Sequence, residues 1–271
     1  MRVAILGTGK MGAAVAGRLQ ETGFELHLWN RTPAKAEALG LGTVASNPEA
    51  AAAAAEVVIS VLTGPSAVRA VYGRLEPGTR VFLEMSTAGP DIAEELGTRF
   101  ESLVAAPIIA APPVVRRGEA YILTGGPEEA VERAGPVLNA LGEHRHVGTR
   151  RRAAEMKLLN NAMLAVTTAA AAELVEATVH AGLSREEAFA FAKRHIPYLD
   201  MRRSGFLGGP YEPLTFALKD MLKDVDLALE AFDGKEFPMP ILKAVRRAFK
   251  EVAPQHGEKE LTAVLERYRK K

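Results

Sequence analysis

Lys157 and Asn161 stand four residues apart within the stretch from Arg150 to Gly182, RRRAAEMKLLNNAMLAVTTAAAAELVEATVHAG, which has no proline and only a terminal glycine. Alanine, leucine, methionine and glutamate dominate it, all strong helix formers, and the closing glycine suits a helix C-terminus. On such a helix the i, i+4 spacing sends both side chains off one face, one turn apart. An ammonium and an amide on a rigid apolar helix can pass a proton to and from a bound group. Taken alone, the pair fits better a solvated lysine beside an incidental asparagine, since most lysines are exposed.

A second group opens the chain. Gly7-Thr8-Gly9-Lys10-Met11-Gly12 follows the apolar run Val3 to Leu6 and runs into the helical pattern AAVAGRLQETG. In a strand–loop–helix setting, the first glycine permits a tight turn, the second lets backbone approach a pyrophosphate, and the third allows close packing. The helix N-terminus adds free N–H groups for the phosphates. The second strand, Glu25 to Asn30, ends in Asn30-Arg31-Thr32 with no acidic residue. An Asp or Glu there would hold the ribose hydroxyl of NAD. Arg31 can instead pair with a 2′-phosphate, and Asn30 and Thr32 can donate further hydrogen bonds, so NADP is the expected cofactor.

The elements that must carry these groups alternate. Strands are expected at Val3 to Gly7, Glu25 to Asn30, Thr43 to Ser46, Val57 to Leu62, Arg80 to Met85, Leu103 to Ile109, Tyr121 to Thr124 and His144 to Val147, with helical segments between most of them. That pattern describes one doubly wound α/β sheet, a Rossmann domain over residues 1–150. Leu62-Thr63 and Ser86-Thr87 fall at carboxyl ends of strands, where the loops of such a sheet face the cofactor. Ser86 and Thr87 also open a helix, so they can bind a carboxylate or merely cap that helix. A helix of the length of Arg150 to Gly182 spans about 45 Å, enough to join two bodies. Beyond it, residues 151–271 read as an all-helical domain that begins with the long helix, followed by segments at SREEAFAFAKR, Leu214 to Ala231, Pro240 to Val252 and Lys259 to Tyr268.

The chain has 271 residues, a net charge of +1 and no cysteine. Nothing in that balance points to nucleic acid or a membrane surface, and disulfides and thiolate chemistry are excluded. MRVAILG enters a strand without a leader pattern, and the apolar runs are broken before they reach spanning length, so a cytoplasmic protein is expected. His144 and His146 share a strand face without a third ligand, and no metal is expected. Alanine-rich faces on the helical domain suggest a homodimer.

Together these pieces resemble the β-hydroxyacid dehydrogenase family, which includes 3-hydroxyisobutyrate dehydrogenases and succinic semialdehyde reductases. GTGKMG, WNRT, EMSTAGP, KLLNN and FALKDMLKDVDLAL carry the resemblance in the right order from residue 1 to about 245. It implies hydride transfer between a nicotinamide and a small hydroxyacid, semialdehyde or ketoacid. Lys157 would be the catalytic lysine with Asn161 as its partner. Ser86 and Thr87 would meet the substrate or the nicotinamide, Leu62 and Thr63 would line the cofactor, and Lys223 would approach the nicotinamide. Where the family reads Asp-Ala-Pro-Val-Ser-Gly-Gly, this chain reads Ala105-Ala106-Pro107-Ile108-Ile109-Ala110-Ala111. The carboxylate-binding Ser-Gly-Gly is thus Ile109-Ala110-Ala111, and further on Gly-Thr-Leu-Thr becomes Gly118-Glu119-Ala120-Tyr121. Arg150-Arg151-Arg152 puts three cations at a helix N-terminus, against the macrodipole, which fits a bound anion or a solvated basic surface. The run PIIAAPPVVRRGEAYILTGG also resembles imine reductases, which carry Asp or Tyr where this chain has Lys157. Lys157 with Asn161 favours carbonyl chemistry over that alternative, and the intact lysines oppose a third one, a non-catalytic dinucleotide sensor.

Overall fold

Short apolar runs that end in glycine, proline or a polar turn form the strands, and the segments between them coil into helices. A computed structural model describes residues 1–234 and 237–269, in two compact units, Met1–Lys157 and the chain from Leu158 onward. In the first, β1 (Arg2–Leu6), β2 (Glu25–Trp29), β3 (Thr43–Val44), β4 (Val57–Ser60), β5 (Val81–Glu84) and β6 (Leu103–Ala105) form a six-stranded parallel sheet in the order β3-β2-β1-β4-β5-β6. This is the dinucleotide-fold order, with its crevice where the order reverses beside β1. Register decides what meets there. Leu6 pairs with Ser60, Ser60 with Glu84, and Glu84 with Ala105, so four strands end level and their following loops share one edge.

Alternation along the strands feeds two apolar layers. Val3, Ile5, Leu28, Ile59, Leu83 and Val104 are buried on one side of the sheet, and Ala4, Leu6, Val58, Phe82 and Leu103 on the other. Parallel strands covered on both faces need such continuous apolar sequences.

Three further strands leave this sheet. The expected strand from Leu103 to Ile109 breaks into β6 and β7 (Ile108–Ile109), and β7 joins β8 (Ala120–Thr124) and β9 (Gly142–His146) in a second sheet. Pro107 lies at the break and has no N–H to donate to a ladder. β7 runs antiparallel to β8, and β8 parallel to β9. Ala105 and Gly125 still exchange hydrogen bonds of 2.9 Å each way, which ties the second sheet to the first.

The long helix runs unbroken from Arg150 to His180. By length and composition it could cross a membrane; instead Leu158, Ala162, Ala165, Ala169, Ala172 and Val175 are buried in the core of the second unit. Three more long helices complete that core, Arg185–His195, Leu218–Phe232 and Pro240–His256. Ser184 starts the first of them with a reciprocal capping box to Glu187. The expected helix from Leu214 begins only at Leu218, because the residues before it pair with a neighbouring segment. Leu261 N–H donates to Phe216 O, and Leu218 N–H to Lys259 O, both at 2.9 Å. The last segment is a 3-10 helix, Leu261–Arg267.

Arg202 is buried and paired with Glu260. A second buried carboxylate, Glu176, accepts from Arg185 at 2.6 and 2.8 Å and from Arg269 at 3.0 Å. Burial pushes its carboxyl up, but the hydrogen bonds from Arg185 and Arg269 outweigh that and hold it below the usual carboxylate range. A depressed folded value stabilises the protein above the unfolded value and is lost as pH falls through the folded one. Glu176→Gln should therefore cost about 3 kcal/mol near neutral pH. Thermal melts of the two proteins should converge on acidification below the carboxylate range, and a constant gap at every pH would rule the charge pair out.

Candidate active site

The glycine loop after β1 is built to receive phosphates. Gly7 has φ +103, and a Cβ there would lie 2.2 Å from the Val61 carbonyl oxygen; at Gly12 it would lie 1.9 Å from that of Gly7. Only glycine fits either place. At Gly9 a Cβ would meet nothing within 4 Å, so the middle glycine faces open space, as close approach of a pyrophosphate requires. The helix Lys10–Glu21 starts directly behind it with Gly9 as N-cap and no side-chain cap, which leaves first-turn N–H groups for an anion. Thr8 Oγ1 is buried and has no hydrogen-bond partner among the described residues. A ligand oxygen at the loop would satisfy it. These features fit a dinucleotide.

The second strand braces the loop. Gly7 N–H donates to Trp29 O at 2.8 Å. Thr8 N–H donates to Asn30 Oδ1 at 3.0 Å, and Asn30 Nδ2 donates to Thr32 O at 3.0 Å. Asn30, expected to donate to the cofactor, thus has its oxygen and one amide proton engaged within the protein. Arg31 and Thr32 are exposed beside it.

Across the level strand ends, Leu62 and Thr63 follow β4 and Ser86 and Thr87 follow β5. Leu62 N–H donates to Ser86 Oγ at 2.8 Å, and Ser86 N–H donates to Glu84 Oε1 at 2.9 Å. Ser86 is therefore a buried clasp between two loops, and the helix Pro90–Arg99 that follows has Gly89 as its N-cap with no side-chain cap, so neither Ser86 nor Thr87 caps it. A small recess opens here, lined by Glu84, Ser86, Thr87, Ala88, Gly89, Ala93, Ala105, Pro107, Ala154 and Lys157. Lys157 Nζ donates to Ile108 O at 2.8 Å. So three residues singled out from sequence, Ser86, Thr87 and Lys157, meet in one place. Ile109, Ala110 and Ala111 lie at and just after β7, partly exposed, next to the carbonyl that holds the lysine but outside the recess lining. Ile109 stands opposite Tyr121 across the β7–β8 pair.

Asn161 follows Lys157 by one turn of the same unbroken helix and is buried. Its Nδ2 donates to Asp224 Oδ2 at 2.6 Å, and Lys223 Nζ donates to Asp224 Oδ1 at 2.5 Å. Asn160 Nδ2 donates to Asn161 Oδ1 at 3.1 Å. Asp224 thus holds both Asn161 and Lys223. Asp220, one turn earlier on the helix that carries Lys223 and Asp224, has its carboxyl pushed up by burial, against the pull of Lys223 and Lys219.

Two residues here escaped the sequence reading. Glu84 is a single acid in an apolar strand, VFLE, and that placement was its signal. Asp224 stands inside the run FALKDMLKDVDLAL, where nothing local announces its partner Asn161, 63 residues away. The arginine triplet also resolves. Arg150 donates to the carbonyls of Leu103 at 2.8 Å and Glu101 at 2.9 Å, and Arg151 pairs with Asp91 and Glu155. Two of the three cations are engaged by the protein itself, so the placement against the macrodipole needs no bound anion. Among the described residues no cluster of three or more potential ligands could hold a metal.

Fold and site define an NAD(P)-binding oxidoreductase. Residues 2–150 match the family described as the NAD-binding domain of 6-phosphogluconate dehydrogenase, and residues 152–268 that described as the NAD-binding domain of NADP-dependent 3-hydroxyisobutyrate dehydrogenase. The chain belongs to the β-hydroxyacid dehydrogenase family and is a dehydrogenase or reductase acting on CH–OH. It is 26% identical to glyoxylate/succinic semialdehyde reductase 1 of Arabidopsis thaliana, with 98% of each chain covered. The fold matches a 3-hydroxyisobutyrate dehydrogenase of Mycobacterium tuberculosis, solved with L-serine, at a TM-score of 0.85, with 25% identity and 99% of both chains covered. An imine reductase from a Pseudomonas species has the same fold at a TM-score of 0.67, with 20% identity and 99% of both chains covered.

Proposed function

We propose that the protein is an NADP-preferring reductase of small aldehydes or ketoacids, with Lys157 as proton donor. Lys157 carries the reading: it is the one cation lining the recess at the level strand ends, beside the Ser86-Thr87 turn. Gly7, Thr8, Gly9, Lys10, Met11 and Gly12 would hold the pyrophosphate, and Arg31 with Thr32 the 2′-phosphate. Leu62, Thr63 and Thr87 would line the nicotinamide end, where Lys223 is also assigned. The bound nicotinamide supplies hydride exchange with the carbonyl carbon.

The protein's own part is proton transfer and orientation. Lys157, as ammonium, stabilises the alkoxide that forms and gives it a proton from Nζ. For alcohol oxidation the neutral amine takes the hydroxyl proton. Asp224 fixes the amide of Asn161, so that Asn161 presents a set orientation one turn from the lysine. Ser86 holds the β4 and β5 loops together while Thr87 stays partly exposed for the substrate. Ile109, Ala110 and Ala111 give the substrate wall an apolar surface with no side-chain hydroxyl. The same reading assigns the enzyme to the cytoplasm. It also assigns a homodimer, to cover Met156, Leu159, Met163 and Leu174, which stand exposed along one side of the long helix.

NADPH oxidation against semialdehydes, glyoxylate and cyclic imines, with NADH as control, tests the proposal. Turnover of the aldehydes or acids supports it. Turnover of imines alone would replace it with the imine reductase reading, and tight NADPH binding without any turnover would favour the sensor.

A further inference from the structure

We propose that Glu84 is a positioning residue that keeps Lys157 in its ammonium form and so biases the enzyme toward carbonyl reduction. The inference rests on the assignment of Lys157 as proton donor.

Glu84 closes β5 and is only 5% exposed. A carboxylate buried to that degree is costly unless hydrogen bonds and a counter-charge compensate it. One oxygen is accounted for by the Ser86 N–H. For the counter-charge, the recess offers a single choice. Of its ten lining residues, only Glu84 and Lys157 are ionisable, the rest being alanine, glycine, proline and the two hydroxyl residues Ser86 and Thr87. Small neighbours leave the space to the two charges: the register partner of Glu84 on β6 is Ala105, and Ala88, Gly89 and Ala93 complete that side.

Tyr72, buried and hydrogen-bonded to Ser60, the register partner of Glu84, has its phenol pushed up by burial and by the Glu84 charge, so it is neutral and supplies no counter-charge. The arginines nearest the lysine are engaged with other groups. On the lysine's own helix, Arg151 pairs with Glu155 and with Asp91 of the helix Pro90–Arg99, and Arg150 is spent on carbonyls. Tyr121, on β8, is the register partner of Ile109 and is not among the residues lining the recess. Burial alone would strip the proton from a lysine, but an opposite charge in the same recess favours the ammonium. With Glu84 ionised, Lys157 stays a donor across the neutral range, which suits reduction. Oxidation needs the neutral amine and therefore more alkaline solution.

The test is Glu84→Gln, which keeps the side-chain volume and an oxygen for the Ser86 N–H while removing the charge. The readout is the rate at which an amine-directed reagent labels Lys157 in the full-length protein, followed by mass spectrometry across pH, with and without saturating NADP. The variant should label with a midpoint about one pH unit lower, so that at about pH 8 its rate is about tenfold higher. The alkaline limb of carbonyl reduction should move the same way, with NADPH affinity, read by fluorescence, changed less than about twofold. A folded, NADPH-binding variant with an unchanged labelling profile overturns the proposal. Should the variant fail to fold, the wild-type protein decides. Lys157 should label with a midpoint at or above that of exposed Lys250 in the same digest, and a lower midpoint defeats the pairing. Labelling is independent of turnover, so it separates this inference from the role of Lys157, which Lys157→Ala addresses.

Discussion

Lys157→Ala is expected to lower turnover by about a hundredfold or more while leaving NADPH affinity within about twofold. The two effects separate because the lysine stands at the recess, whereas the glycine loop that receives the phosphates is braced by β2 through Trp29 and Asn30. The fold should tolerate the change, since alanine is the best helix former; the hydrogen bond from Nζ to Ile108 O is lost with the side chain. Lys157→Arg should not restore turnover: a guanidinium keeps the positive charge but does not release a proton in the working range. Single-turnover oxidation of bound NADPH, compared with its dissociation constant, is the measurement. Wild-type turnover in Lys157→Ala would move the proton donor elsewhere. An equal loss in binding and turnover would make the lysine a ligand of the cofactor.

How much of this could be read beforehand follows the range of the interactions involved. The strands, the glycine loop and the long helix are written in local patterns, and they fold where those patterns stand. The break at Pro107 was also local, but its consequence was not. Whether the chain after β6 continues one sheet or starts another depends on pairing with β8 and β9, more than ten residues away in sequence. Ionic partners were the least legible. Nothing near Arg150 in sequence announces the carbonyls of Leu103 and Glu101. Nothing near Arg202 announces Glu260, a partner 58 residues on. An exposed arginine and a buried, paired one look alike until the fold supplies the neighbour. Lys157 and Asn161 were legible because they share a helix, while Glu84 reaches the recess only through the register of parallel strands.

That distinction between local and long-range signals bears on the cofactor, where the deciding residues are adjacent in sequence. Arg31→Ala is expected to weaken NADPH binding by about 10- to 100-fold and to leave NADH nearly unchanged, the loss corresponding to one charge-assisted hydrogen-bonding group on a phosphate. β2 ends at Trp29 and is followed by Asn30, Arg31 and Thr32, with no carboxylate to hold a ribose hydroxyl or repel a phosphate. Asn30 is engaged with Thr8 and Thr32, which leaves Arg31 as the charged group at the strand end. Thr32 precedes the helix Pro33–Glu37 without using its side chain as a cap, so its hydroxyl is free of that duty. Arg31 is exposed, and its removal should not disturb the fold. Screening gives a second check: added salt should raise the wild-type KM for NADPH more steeply than that of Arg31→Ala. Equal losses for NADPH and NADH would place Arg31 on a part the two cofactors share, and the NADP preference would then have to come from Thr32, Lys35 or the loop itself.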